Sequence, residues 1–396
     1  AVATTELGAS TLPRHAGGVK TTPKAGPPFH PSMSQPIRSD PGTRPRRPHH
    51  YIIHGAGAVG GTMGALLARA GFQVTLVARP AVVEAIAAQG GLRLIAAGVP
   101  GIIAVRAVDR IERVEPAGHP VVCFTMKAGD LAPALPAARA ALGTGVAAVT
   151  WQNGIRAEHQ AEEHFTDVVG GIVRATSTML DPGEVRIRTP GILVLGRWPE
   201  GRKGVTDDRV ETIRADLVTA GFDAVVSPRI AADKGLKLLV NLFSGVSPLV
   251  AADGTAMPAT ARLERNVVIE GARILKAVGI PFHPAGGRGD DVTTMLAHLA
   301  GRSVRHRTED GVHNSTWQNL HHAGRRLEND FMNGEIVSLA AGLGEAAPWN
   351  RRLLDLLVEV HGRGLGPNAL TDSELAARLT DLADPDPWRP GVDDIP

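Results

Sequence analysis

Hydrophobic and polar positions along this chain fall into two regimes. From Tyr51 to about residue 200, short apolar runs alternate with stretches of helical period. "YIIHGAG" is a strand running into glycines, and "AVGGTMGALLARAG" has a helical pattern closed by Gly71. "FQVTLVAR" is a second strand and "AVVEAIAAQG" a second helix. "GIIAVRAV", "PVVCFTMK" and "VAAVTWQNG" supply further strands, with the helix "DLAPALPAARAAL" between the last two. "GEVRIRTPGILVLGR" reads as an antiparallel hairpin added to them. Such alternation predicts a parallel sheet with helices on both faces. Past Ser227 the strands stop, and the pattern predicts helices over 230–250, 259–278, 290–302, 314–340 and 348–362.

The two ends follow neither pattern. Residues 1–48 are rich in Pro, Gly, Ser, Thr and Arg and have no period. Such a stretch buries too little to offset its ordering entropy, so a disordered tail is expected. A transit peptide or a basic interaction arm is the alternative, and Met33 is a candidate start. Residues 367–396 hold one amphipathic stretch, "DSELAARLTDLA", before the Pro- and Asp-rich "DPDPWRPGVDDIP". A loosely attached tail is expected there.

Composition narrows the function classes. A chain of 396 residues, 43% apolar, has material for two cores. A formal charge of +2 provides no global basic field for nucleic acid. No apolar run reaches the roughly 18 residues of a membrane span. Cys123 is the single cysteine, so no intramolecular disulfide forms, and no stretch has zinc-ligand spacing. A cytoplasmic protein without a metal site, acting on a small molecule, is the expectation.

The glycine-rich turn says what kind of molecule. Gly55, Gly57 and Gly60 have the G-x-G-x-x-G spacing between a strand and a helix. The first allows a tight turn, the second a close approach of backbone to a diphosphate, the third close helix–strand packing. Gly55, Ala56, Gly57, Ala58, Val59 and Gly60 then present backbone N–H groups and the positive end of a helix dipole to the anion. This predicts an N-terminal Rossmann dinucleotide-binding domain over 49–226, followed by a helical C-terminal domain over 227–366: α/β plus all-α. Arg79 ends the second strand, where NAD-binding folds usually carry an acid. An arginine there suits a 2′-phosphate, so NADPH is expected over NADH. A plain surface arginine is the other reading.

Candidate chemistry lies on strand ends and on one helix. Lys127 and Asn153 both follow apolar strands, at the sheet edge where such folds bind ligands. A solvated loop lysine and a simple Asn-Gly turn are the competing readings. In "KGLKLLVNLFSGVSPLV", Lys237, Asn241 and Ser244 share one helix face, and leucines, Val240 and Phe243 cover most of the rest. So apolar a helix is mostly buried, and its polar stripe must face a cavity, partner or ligand. Lys237 is either a lysine snorkelling at a helix edge or an ammonium that donates a proton. Asn314 or Ser315 can cap a later helix. Glu328 either pairs with Arg325 on the surface or faces a polar cleft.

Together these residues resemble the ketopantoate reductase family. "GAGAVGGTMGALLARAG", "ARP", "TMKAGDL", "WQNG", "LDPGEVRIRTPGILVLG", "KLLVN", "AVGIP", "STWQNL", "ENDFMNGEIV" and "PWN" carry the likeness, from about Tyr51 to Val360. The resemblance implies NADPH reducing ketopantoate to pantoate in a cleft between two domains that close over it. It implies that Lys237 is the general acid and that Glu328 contacts substrate and supports that lysine. Asn241 and Ser315 then match substrate-binding positions, and Asn153 and Lys127 match cleft residues near substrate and cofactor. A homodimer is common in the family. The chain departs from the pattern at Gly235, where a Trp is usual, and near Ser244 and Gly245, where a second Asn is usual. One more residue than expected separates Ser315 from Glu328. These departures lie on the substrate side. They keep two rivals open: a reductase of another 2-keto acid, and a binding protein that senses NADP without turnover.

Overall fold

The computed structural model describes residues 49–96, 99–179, 181–200, 208–252, 254–300, 314–321 and 326–393. The expected N-terminal tail, with Met33, lies outside them. The N-terminal half forms one ten-stranded sheet. Its parallel heart comprises β1 (His49–His54), β2 (Gln73–Val77), β5 (Arg106–Val108), β6 (His119–Phe124), β7 (Ala147–Thr150) and the start of β8 (Asp167–Thr178), in the order β8-β7-β6-β1-β2-β5. Both faces are covered, which is why Tyr51, Ile52 and Ile53 are all fully buried in consecutive positions. Helix α1 (Ala58–Arg69) follows β1, α2 (Pro80–Ala88) follows β2, α3 (Leu131–Leu142) follows β6 and the short α4 (Ala157–Glu162) follows β7.

Two sequence readings need correction here. "GIIAVRAV" is not one strand: β4 (Val99–Ile103) pairs antiparallel with β3 (Leu92–Ala96), and β5 stands apart beside β2. "GEVRIRTPGILVLGR" is not a hairpin either. It is one long strand, β9 (Glu184–Trp198), whose antiparallel partner is β8. The Pro-Gly step reads as a turn, but Gly191, at φ +83°, serves a β-bulge instead. A Cβ there would strike the backbone of Arg174 and Ala175. Helix α5 (Asp208–Thr219) and β10 (Asp223–Val226) then close the sheet against β9.

The second half is helical: α6 (Ile230–Ser244), α7 (Pro258–Ala277), α8 (Val292–Ala300), α9 (Ser315–His321), α10 (Asn333–Gly342), α11 (Pro348–Gly362) and α12 (Asp372–Ala377). The predicted helix 314–340 is in fact broken. Its middle holds a single 3-10 turn at Asn329–Phe331 between α9 and α10. Helix α11 buries Trp349, Leu353, Leu356, Leu357 and Val360, the recurrence of one helix face. Its first N–H groups, on Trp349 and Asn350, donate to the buried carboxylate of Glu270 from α7 at 3.0 and 2.8 Å. Asn350 then accepts from Asn333 at 2.9 Å. The "PWN" and "MNG" stretches thus build a buried polar joint between three helices.

The C-terminal stretch, expected to be loose, is docked along α7. Asp372 accepts from Ala259 N, Thr260 N and Thr260 Oγ1 at 2.7–3.1 Å and so caps α7. Arg262 donates to Asp384 and to the carbonyls of Leu379 and Leu382. Leu375 and Leu379 are fully buried. The acids that make this segment look solvated in sequence are partners for α7's basic and amide side chains. Among the described residues no helix is long and apolar enough to cross a membrane.

Candidate active site

The glycine loop leaves β1 at the C-terminal edge of the sheet. Gly55 adopts φ +109°, open to glycine, and a Cβ there would overlap the backbone of Met126. Gly60 lies against the carbonyl of Gly55 and Oγ1 of Thr125, which leaves no room for a side chain. Gly57 is different: nothing lies within 4 Å of where its Cβ would be. It is the N-cap of α1, whose first turn has no acid. A bare backbone, open space and free N–H groups fit a diphosphate. Ala56, Ala58 and Val59 complete this turn. Arg79 is the N-cap of α2, exposed, and its side chain makes no hydrogen bond or ion pair among the described residues.

Strands β1, β6 and β7 are neighbours, so the loops that follow them lie side by side, about 5 Å apart per strand. Lys127 follows β6. Its ammonium donates to Asn319 of α9 at 2.9 Å and to the Arg326 carbonyl at 3.2 Å, and lies 3.9 Å from Glu328. Asn153 follows β7, and its Oδ1 accepts from Asn241 of α6 at 3.2 Å. Phe331 lies over Gly129 and Gly154 of the same two loops. The helical half therefore meets the C-terminal edge of the sheet where the sequence pattern points. A small pocket opens beside Phe331, lined by Asn153, Arg156 and Gln160 among others, but not by Lys237 or the glycine loop.

Lys237 lies one turn before Asn241 on the same face of α6. It is half-buried and makes no hydrogen bond or ion pair among the described residues. Burial pulls its ammonium down to about 8, and the positive charge of Arg174 adds to the fall. Glu328 is not on Lys237. Its carboxylate faces Lys127, and the suggested pair with Arg325 lies outside the described residues. Ser244 turns its hydroxyl back onto the Asn241 carbonyl at 2.7 Å. Ser315 is exposed at the start of α9, which Asn314 caps by accepting from Trp317 N at 2.9 Å. Gly235 has its own reason: the Pro281 carbonyl sits where a Cβ would be. Next to Gly245 lies the Asn329 amide, 3.0 Å from a built Cβ.

Sequence reasoning missed the pair that anchors this arrangement. Lys234, 3% exposed, donates to Glu158 of α4 at 2.5 Å and to the Gln152 carbonyl at 3.1 Å. Thr150 donates to the same Glu158 oxygen at 2.6 Å. Gln152 in turn donates to the carbonyls of Phe124 and Met126, both at 3.0 Å. One buried network thus joins α6 to the loops that carry Lys127 and Asn153. A second tie runs from Arg156 to the buried carboxylate of Glu335 on α10. The signal available in sequence was Lys234 itself, a charge at the start of a largely apolar helix.

Known proteins match along the same two halves. The family model described as "Ketopantoate reductase PanE/ApbA" covers residues 51–200, and its C-terminal companion covers 229–361. The 2-dehydropantoate 2-reductase of Pyrococcus horikoshii is 30% identical over 327 residues, 80% of this chain and 98% of that one. The crystal structure of a PanE/ApbA family ketopantoate reductase from Ralstonia eutropha superposes with a TM-score of 0.65 at 27% identity, covering 80% of this chain and 99% of its own. D-mandelate dehydrogenase with NADH and anilino(oxo)acetate shares the fold, with a TM-score of 0.65 at 20% identity and coverage of 80% and 99%. With a Rossmann half, a helical half and these matches along both, the chain belongs to the ketopantoate reductase family.

Proposed function

We propose that the protein reduces a 2-keto acid with NADPH, ketopantoate to pantoate being the reaction that its relatives' names favour. That substrate would place it in pantothenate synthesis. The observation that carries the reading is the unpartnered, half-buried ammonium of Lys237 beside the Asn241–Asn153 pair. A nicotinamide cofactor held by the glycine loop and Arg79 would supply the hydride when bound. The chain's own residues do the rest. Negative charge grows on the carbonyl oxygen, and the Lys237 ammonium stabilises it and then gives it a proton from Nζ. A proton donor near 8 is charged at neutral pH and still gives the proton up readily. The free faces of the Asn153 and Asn241 amides offer donors and acceptors for substrate oxygens. Lys127 and Glu328 hold the α9 side of the cleft to the β6–α3 loop. Arg79, exposed and unpaired, supports NADPH, because a 2′-phosphate offers it a bidentate partner.

A second reading is a reductase of a different 2-keto acid. It is favoured by the missing side chain at Gly245 and the inward-turned Ser244 hydroxyl. The fold neighbour D-mandelate dehydrogenase, with its bound anilino(oxo)acetate, gives a bulkier acid to try. The test is NADPH and NADH oxidation by the purified protein with ketopantoate, pyruvate and benzoylformate in parallel. Highest kcat/KM for ketopantoate with NADPH is the expected result. Turnover of only another acid transfers the same chemistry to the second reading. Tight NADPH binding without any turnover would overturn both in favour of a sensor.

A further inference from the structure

Arg174 lies on β8, the last residue in register with β9 before the ladder slips between Arg174 and Thr176. Bulges of this kind re-aim side chains near functional sites. Helix α6 packs across β8 and β9, so Arg174 stands beside the face that bears Asp233 and, one turn on, Lys237. Gly289, at φ +113°, makes room for the guanidinium: a Cβ there would lie 2.7 Å from Nη2. Yet this cation is poorly used. It has five N–H donors. Its one hydrogen bond among the described residues is a long one, Nη2 to the Arg288 carbonyl at 3.4 Å. Its Nε is buried with no partner among the described residues.

The surroundings make this more unusual. Asp233 is the nearby acid, and it is already committed. It accepts from the Ser227 hydroxyl and from Gly286 N at 2.9 Å. Lys237 has no counter-ion among the described residues either. Among the described residues Arg174 from β8 acts on it, Asp233 lies one turn earlier on the same helix, and His283 from the segment after α7 lies near Asp233. Two under-satisfied cations, one on β8 and one on the helix packed against it, repel each other. Holding the 286–289 loop would need only a neutral donor. An incoming anion relieves the repulsion and supplies the missing acceptors. A carboxylate matches the planar guanidinium fork in shape as well as charge.

We propose that Arg174 binds the carboxylate of the 2-keto acid and so sets the preference for acids, while Lys237 faces the carbonyl oxygen. This rests on the reductase reading above. It adds to that reading the residue that distinguishes a keto acid from a neutral ketone.

The test compares benzoylformate with its methyl ester, which keeps the ketone and loses the charge. Ketopantoate is measured beside them. In Arg174→Gln, the ratio of kcat/KM for acid over ester should fall about 10- to 100-fold, the range of a charge-assisted hydrogen bond. Most of the change should sit in KM for the acid. Arg174→Lys should keep part of the ratio, since it keeps the charge but not the fork. The high-pH limb of kcat should also move upward in Arg174→Gln, because a positive neighbour of Lys237 has gone. NADPH affinity, read by fluorescence, shows that each variant is folded. An unchanged acid-to-ester ratio in an Arg174→Gln variant that binds NADPH overturns the proposal and leaves the reductase reading standing. If the unaltered protein reduces none of the three compounds, the reductase reading falls and this inference falls with it.

Discussion

Replacing Lys237 by methionine should make the protein more stable at neutral pH while it abolishes turnover. The unfolded chain holds this ammonium at its ordinary 10.5, whereas the fold holds it at about 8. Each pH unit between those values is worth about 1.4 kcal/mol. Keeping Lys237 charged therefore costs the fold up to about 3 kcal/mol. The sign follows from proton counting. Between about 8 and 10.5 the unfolded state binds more protons than the folded one, so the penalty is complete below about 8 and fades as pH rises to 10.5. Methionine has similar length and no charge, so it removes the penalty and keeps most of the packing. Urea denaturation should show a gain of about 1–3 kcal/mol at neutral pH that shrinks steadily through that window. A loss of stability at neutral pH would refute the reasoning, and so would a gain independent of pH. Stability held in reserve at a functional position is the trade-off expected of an active site.

Three further outcomes are expected. Glu158→Gln leaves the buried Lys234 ammonium without its carboxylate and should lower unfolding free energy by about 3–5 kcal/mol, while Glu158→Leu with Lys234→Met should recover most of it; a loss below about 1 kcal/mol in denaturant titrations would show that water reaches the pair. Arg79→Asp should cut the ratio of kcat/KM with NADPH over NADH about 10- to 100-fold, and an unchanged ratio would leave Arg79 a surface residue. Asp372→Ala removes the cap of α7 and should lower stability by about 1–2 kcal/mol, seen as a lower Tm, without changing keto acid turnover.

What could be read in advance depended on how local each constraint was. The glycine loop was legible because a tight turn and a close helix–strand approach are settled within a few residues, and Gly55 and Gly60 show both contacts. The polar stripe of α6 was legible because Leu236, Leu238, Leu239, Val240, Leu242 and Phe243 leave one face for Lys237 and Asn241. Lys234 lies in the same stretch and was passed over. Its partner Glu158 is 76 residues away, and helix period says nothing about that distance. Arg174 was missed for a related reason: strand alternation makes it look like an ordinary edge residue, and only the bulge opposite Gly191 and the room at Gly289 give it a place. The Pro-Gly step in β9 misled because a glycine at positive φ serves a bulge as well as a reversal. The acidic C-terminal stretch misled because its partners, Arg262 and the first turn of α7, lie more than a hundred residues earlier.

Lys237, as the proposed proton donor of a keto acid reductase, is the residue on which the chemistry turns. The measurement that tests this most directly is the rate of NADPH consumption with the best 2-keto acid, for the unaltered protein and Lys237→Ala side by side, with NADPH affinity read on both. Intact cofactor binding and a fall in kcat of about 100- to 10,000-fold are expected in the variant. A variant that binds NADPH and still turns over within a few-fold of the unaltered protein would contradict it.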